Sequence, residues 1–368
     1  MTSADLLIAI DGRDMRFPAI WLRDNCPCAQ CVVPGTGQKL HAITELPDGL
    51  GITQIQSTAA EVAVTFGPDQ HRSVFSRAWL ARHALDRHGD GGGRTEDGKQ
   101  LWLPADLPAL PQANWADYRA GSRAAALEAV LRLGFVLLHG VPAEPGMVLQ
   151  VATSFGFVRE TNYGRLFDVR VEPAPGNLAF TSRAIGPHTD NPYRDPVPTL
   201  QLLHCLRDAA EGGDTGLVDG FAAAAAFRAA DPEGFDVMTR TALPFGYMDD
   251  GADLRACAPL IGLSPRGRIA GVRFNNRSTQ ALQAPYAEVT AFYAAYRRWA
   301  AVLAEPHRQL NLRLAPGDCL IFDNTRILHA RTAFTMSADS AGRHLQGCYA
   351  DLDGLASTLA VLQREEIT

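Results

Sequence analysis

From Tyr118 onward the apolar residues of this chain come in short bursts that are quickly interrupted: FVLLHGV (135–141), NLAFTS (177–182), LQLLHCL (200–206), GLVDG (216–220), RIAGVRFN (268–275), CLIFDN (319–324), RILHAR (326–331) and HLQGCYADL (344–352). Each is too short for a buried helix, and Gly, Pro, Asp or Asn closes most of them, which is the pattern of strands joined by tight turns. So many short strands can bury their apolar faces only by packing sheet on sheet, which predicts a sandwich or jelly roll. Helical spacing is confined to Arg123–Leu133, which stops at Gly134, and to the alanine-rich stretches Phe221–Ala230 and Tyr286–Leu303. These predict supporting helices. Neither a dinucleotide-binding fingerprint nor a phosphate-binding loop is present.

The first hundred residues read differently. Strand-like LLIAI, ITQIQ and EVAVTF precede a helix-like stretch around Ser76–Arg87, a polar glycine-rich loop at 88–100 and a proline-rich linker at 103–112. The expected organisation is a small α+β domain at 1–105 and a larger, mainly β domain at 115–368.

The formal charge of −6 disfavours a nucleic-acid partner, since phosphate binding needs a basic face. No run of about 18 apolar residues is present, so no membrane partner is expected. The opening MTSADLLIAIDGRD lacks a basic, signal-like start, and a cytoplasmic location is expected. Seven cysteines, an odd number, argue against a disulfide framework.

Three of them, Cys26, Cys28 and Cys31, lie within six residues. Three thiolates this close can converge on one Zn²⁺, which needs a fourth ligand to close its tetrahedron. His41, His71, His83 and His88 are the candidates, and His71 follows a GPDQ turn that could fold it back. Four protein ligands leave no open position, so such a zinc is structural.

His188-Thr-Asp190 is a second constellation. On extended backbone, residues i and i+2 face the same side, so an imidazole and a carboxylate can reach one metal together. The pair alone is weak, as the chance match His88-Gly-Asp90 shows. His329, inside a strand–turn–strand pattern, supplies a second imidazole. Two histidines and one carboxylate are the facial triad of non-haem Fe(II) oxygenases, whose open positions accept a bidentate 2-oxo acid and then O₂. Arg343, fourteen residues beyond His329, is placed to clamp the far carboxylate of such a cosubstrate. Each residue taken singly would usually be a core histidine or a surface arginine; the ordered set is far harder to obtain by chance.

WLRDNCPCAQC, GPHTDNPYRDPVPTLQLLHCL, GGDTGLVDG, RFNNR, FDNTRILHAR and RHLQGCYADLD together resemble the γ-butyrobetaine and trimethyllysine hydroxylases, two-domain relatives of taurine dioxygenase. The resemblance runs nearly end to end. It implies a small N-terminal zinc domain, a double-stranded β-helix (jelly roll) catalytic domain and a homodimer. It implies zinc ligands Cys26, Cys28, Cys31 and His71, and iron ligands His188, Asp190 and His329. Thr215 and Arg343 would contact 2-oxoglutarate, which would be decarboxylated to succinate as O₂ is consumed and the substrate hydroxylated.

The family holds a trimethylammonium group among aromatic rings by cation–π attraction. The matching positions are Tyr163, Phe167, Phe180 and Tyr349, with Phe at 167 and 180 where Trp and Tyr are usual. For the anionic end, Asn276 belongs to an NN pair of which the family uses one asparagine to help bind a carboxylate, whereas Asn191, Tyr193 and Arg277 depart from the γ-butyrobetaine hydroxylase pattern. A guanidinium with amide and phenol donors suits a dianion with three oxygens. This resembles the bacterial 2-(trimethylammonio)ethylphosphonate hydroxylase and implies hydroxylation beside a phosphonate. The alternatives are a carnitine-forming γ-butyrobetaine hydroxylase, a zinc-dependent hydrolase, and a jelly roll that binds a small ligand without turnover.

Overall fold

Glu61–Gly67 reads EVAVTFG, and its apolar side chains make it the central strand of a three-stranded antiparallel sheet, between Gly51–Ser57 and Arg72–Ser76. The computed structural model describes residues 3–10, 12–85, 98–171, 181–208, 211–335 and 342–365. They fall into two units, Met1–Gly92 and Gly93–Thr368.

In the first unit, Val62, Val64, Phe66 and Phe75 of that sheet share one core with Leu6 and Phe17 of the hairpin Asp5–Pro18 and with Leu22 and Leu80 of two short helices. His71 enters the last strand directly after a tight turn. That turn brings its Nε2 to 3.2 Å from Cys26 Sγ, 3.7 Å from Cys28 Sγ and 3.5 Å from Cys31 Sγ. These four ligand atoms could hold one metal ion, and their donor set, three thiolates and an imidazole, suits zinc. The other candidates are engaged elsewhere. His41 faces Asp24 at 3.4 Å, and His83 Nδ1 donates to Trp79 O; His88, with Asp90, lies outside the described residues. Arg23 donates to Cys31 Sγ at 3.3 Å, offsetting part of the negative charge three thiolates would carry. Purified protein is expected to contain about one zinc per chain. Cys28→Ser should lower the melting temperature while changing kcat little. Elemental analysis and thermal denaturation check this; a zinc-free protein purified without chelator would refute it.

In the second unit, among the described residues, the chain crosses repeatedly between two main sheets from Ile185 onward. A four-stranded minor sheet has the order Ile185–His188, Ile327–Arg331, Thr215–Asp219, Leu310–Leu312. The seven-stranded major sheet is built around Cys319–Asp323, Leu200–Arg207 and His344–Ala350, flanked by Phe135–His139 and then Gln112–Asn114 on one side and by Val158–Arg159 and Phe167–Arg170 on the other. This is the double-stranded β-helix. Leu203, Leu320, Phe322 and Leu345 of the major sheet meet Leu217, Leu312 and Ile327 of the minor one between the layers. The outer face of the major sheet is covered by helices Arg123–Leu133, Met147–Thr153 and Leu352–Glu365. Helices Gly220–Ala230, Pro232–Arg240 and Tyr286–Leu303 build a further core with Val218 and Leu328 of the minor sheet. Asp219 accepts from the backbone N–H groups of Phe221 and Ala222 at the start of Gly220–Ala230, and Arg326, fully buried, grips both its oxygens at 3.1 and 2.8 Å.

The proline-rich segment is not a free linker. Trp102 is buried against Phe135, its indole donates to Leu133 O at 2.7 Å, and Leu107 and Leu110 pack on the same core. Prolines set the turns here, but the leucines between them are what the larger unit buries. Residues 98–114 therefore belong to that unit, and the division falls earlier than the expected 105–115. The strand expected at 177–182 lies mostly outside the described residues, and Thr181–Ser182 is not extended.

Candidate active site

His188 ends one minor-sheet strand and is the cross-strand partner of His329. The register alone sets their rings 4.1 Å apart, centroid to centroid. Two residues on, Asp190 turns Oδ1 toward both, 3.5 Å from His188 Nε2 and 3.9 Å from His329 Nε2. The three ligand atoms lie within 4.8 Å of one another, close enough to share one ion.

Neighbouring groups fix how each ligand points. His188 Nδ1–H donates to Gly186 O at 2.9 Å, which leaves Nε2 as the free lone pair. The Tyr349 phenol donates to Asp190 Oδ2 at 2.9 Å, reserving Oδ1 for the metal side. Asn324 accepts from Asp190 N at 2.8 Å and donates to Asp190 O at 3.0 Å and to Pro198 O at 2.9 Å. Burial opposes ionisation of Asp190. The closeness of His188 and His329 and the hydrogen bond from the Tyr349 phenol outweigh it and hold the carboxyl well below the usual carboxylate range. Burial, then the adjacent His188, push His329 down to about 3. An ionised carboxylate and a neutral imidazole are the forms that bind a cation. With three ligands on one side, the donor set fits Fe(II) and leaves the opposite face to other molecules.

That face opens on a cavity of about 490 Å³. Thr215, Arg331 and Arg343 line one end, all nearly inaccessible at 3%, 8% and 5% exposure. Thr215 is the cross-strand partner of Arg331, and both guanidinium groups lie against the Phe334 ring, at 5.1 and 5.8 Å. Burial, then repulsion from Arg343 and Arg277, push Arg331 down to about 10. Among the described residues no carboxylate forms an ion pair with Arg343. A buried cation with no matching acid among the described residues, as at Arg343, makes a seat for an anion that arrives with a ligand. Gly213 leaves room for it: a Cβ there would stand 3.1 Å from Arg343 Cδ and Nε.

Aromatic rings line another part of the wall. Phe167 lies 5.0 Å from Tyr349 and 6.3 Å from Tyr163, centroid to centroid. Tyr163, Tyr193 and Tyr247 form a second group, with Tyr247 stacked on Tyr193 at 5.1 Å and edge-on to Tyr163 at 5.7 Å. Gly347 sits under Phe167, and a Cβ at 347 would overlap the ring. The Tyr193 hydroxyl donates to Asn191 Oδ1 at 2.8 Å, so in the 2.9 Å contact between the two phenols Tyr163 is the donor. Asn191 takes a left-handed backbone (φ 54°), and its buried Nδ2 has no partner among the described residues. This amide donor borders the cavity and is open to a ligand acceptor.

Most residues expected from the sequence meet at this one cavity: His188, Asp190, His329, Thr215, Arg343, Tyr163, Phe167, Tyr349, Asn191, Tyr193 and Arg277. Asn276 does not. It is exposed at the start of a short turn, whereas Asn275 is buried at the cavity, accepting from Arg277 N at 3.2 Å and donating to Thr189 O at 3.3 Å. Phe180 lies outside the described residues. Tyr163 and Tyr193, expected at opposite ends of a substrate, share a hydrogen bond. Arg331, Tyr247, Asn324 and the buried Gln201 escaped notice. HAR and FDN carried the first and third signals in plain view, but nothing local marks Tyr247 or Gln201.

Residues 95–349 match the model of the taurine catabolism dioxygenase TauD, TfdA family, and residues 2–81 match the gamma-butyrobetaine hydroxylase-like N-terminal domain. The chain belongs to the TauD/TfdA dioxygenase family. Among its relatives, the gamma-butyrobetaine dioxygenase of Pseudomonas sp. (strain AK-1) is 35% identical over 366 residues, covering 96% of this chain and 92% of the relative. The human gamma-butyrobetaine dioxygenase is 29% identical, covering 96% and 93%. The trimethyllysine dioxygenase of Meyerozyma guilliermondii is also 29% identical, covering 95% and 91%.

Proposed function

We propose that this protein is an Fe(II)- and 2-oxoglutarate-dependent hydroxylase of a small trimethylammonium zwitterion, and that the zwitterion is 2-(trimethylammonio)ethylphosphonate, hydroxylated beside the phosphonate. The observation that carries the reading is one cavity lined by a facial triad, by a buried pair of arginines and by aromatic rings. The names of the relatives, gamma-butyrobetaine and trimethyllysine dioxygenases, support the quaternary ammonium class.

In this reading His188, Asp190 and His329 hold the iron. Iron, when bound, supplies the activation of O₂ that drives decarboxylation of 2-oxoglutarate and hydroxylation of a C–H bond. Arg343 and Thr215, with Arg331 beside them, receive the distal carboxylate of 2-oxoglutarate. Tyr163, Phe167 and Tyr349 seat the cationic head. Asn191 Nδ2, Tyr193 and Arg277 meet the anionic tail. The setting is cytoplasmic and the assembly a homodimer.

Arg277 decides between tails. Losing a charge-assisted contact costs on the order of 1.5–3 kcal/mol, roughly ten- to a hundredfold in kcat/KM, and more for a dianionic phosphonate than for a carboxylate. Arg277→Ala should therefore lower turnover of 2-(trimethylammonio)ethylphosphonate more than that of γ-butyrobetaine. The 35% identity favours a second reading, carnitine-forming γ-butyrobetaine hydroxylation. It replaces the first if γ-butyrobetaine is the faster substrate and Arg277→Ala leaves the ratio unchanged. A non-catalytic ligand-binding role would show as no O₂ uptake with iron, 2-oxoglutarate and either compound.

A further inference from the structure

We infer that Tyr247 is a specificity-determining wall of the cation seat, with Asp249 its positioning residue. The inference rests on the trimethylammonium reading above. Tyr247 belongs to the hairpin formed by Leu243–Met248 and Asp253–Ala258. It borders the cavity, lies near-parallel to Tyr193 (24°) and stands edge-on to Tyr163 (61°).

Three features hold this ring in place. Its hydroxyl donates to Asp249 Oδ2 at 2.6 Å. Asp249 is itself fixed by the hairpin turn, accepting from Gly251 N at 2.8 Å through Oδ1 and donating its backbone N–H to Ala252 O at 2.9 Å. The hairpin is braced on the segment after Arg277: Phe245 bridges Thr279, and Gln280 N donates to Pro244 O at 2.8 Å. A ring on a solvent-facing hairpin would otherwise lose most of its order. The site thus spends a carboxylate and a tight turn on holding one tyrosine ring.

The electrostatics favour a cation. A phenol that donates to a carboxylate gains electron density on its ring, and the ring face attracts cations in proportion. Asp249 adds a full negative charge just behind it. Together with Tyr163, on which it stands edge-on, the ring extends the cation seat beyond Phe167 and Tyr349.

The test compares cationic probes with their uncharged carbon isosteres: 2-(trimethylammonio)ethylphosphonate with 3,3-dimethylbutylphosphonate, and γ-butyrobetaine with 5,5-dimethylhexanoate. Affinity for the iron- and 2-oxoglutarate-loaded protein is measured without O₂. Tyr247→Leu should weaken the preferred cation about tenfold and its isostere less than about twofold. Tyr247→Phe keeps the ring and should lose less, and Asp249→Asn should fall between, again on the cation alone. Equal losses on cation and isostere, or no loss, overturn the inference while the trimethylammonium reading stands. If the wild type prefers neither cation over its isostere, both fall.

Discussion

Asp190→Ala is expected to abolish succinate formation and iron binding together, with the melting temperature of the metal-free protein little changed. Asp190 is the one anionic ligand of the triad, and its side-chain contacts are with the other two ligands and Tyr349 rather than with the core. His188→Ala should behave the same way. Tyr349→Phe makes the informative comparison: it keeps the ligand and removes only the phenol hydrogen bond. Loss of such a supporting contact typically costs ten- to a hundredfold in metal affinity or activity, so it should leave an enzyme rescued by excess iron. Fe(II) titration alongside a succinate assay reads both effects. Normal turnover in Asp190→Ala would end the facial-triad assignment.

Arg343→Ala should raise the KM for 2-oxoglutarate by roughly 10²- to 10³-fold, because truncating one partner of a buried, hydrogen-bonded charge pair costs several kcal/mol. Lysine should recover only part of this, since it cannot offer a planar fork to a carboxylate. The same residue carries a stability prediction of opposite sign. Burial disfavours the Arg343 charge, and Arg331 lies beside it on the Phe334 ring. Arg343→Met should therefore leave the protein without cosubstrate as stable as wild type or more so. Steady-state kinetics and thermal melts with and without 2-oxoglutarate check both halves. An unchanged KM would move the clamp to Arg331.

The residues readable from the sequence share a physical property: their partners are close along the chain, or their spacing fixes a common face. His188 and Asp190 are two apart on an extended segment, and three cysteines within six residues can hardly avoid one another. His329 was legible because strand–turn–strand returns a side chain to the same sheet. The register His188↔His329 is what completes the site, and no local rule gives it. Proximity created only by tertiary structure stayed hidden. Tyr247 reaches Tyr163 from a hairpin more than eighty residues away. Arg331 joins Arg343 across Phe334, and Asn324 reaches back to the backbone of Asp190. The proline-rich segment misled because proline reports only local stiffness, while Trp102, Leu107 and Leu110 were buried by a core that the segment itself does not encode. Asn276 misled because two adjacent asparagines point in different directions once Asn275 caps the turn.

Gly347 carries a consequence for descent. The Phe167 ring occupies the space where a side chain at 347 would begin, so the two positions cannot drift independently. A lineage that acquires even alanine at 347 must first, or at once, accept a smaller or displaced residue at 167. Such pairs leave a joint trace in related sequences. Across homologues a bulky aromatic at 167 should then occur only with glycine at 347. Where that glycine is lost, the head-group preference should have changed with it.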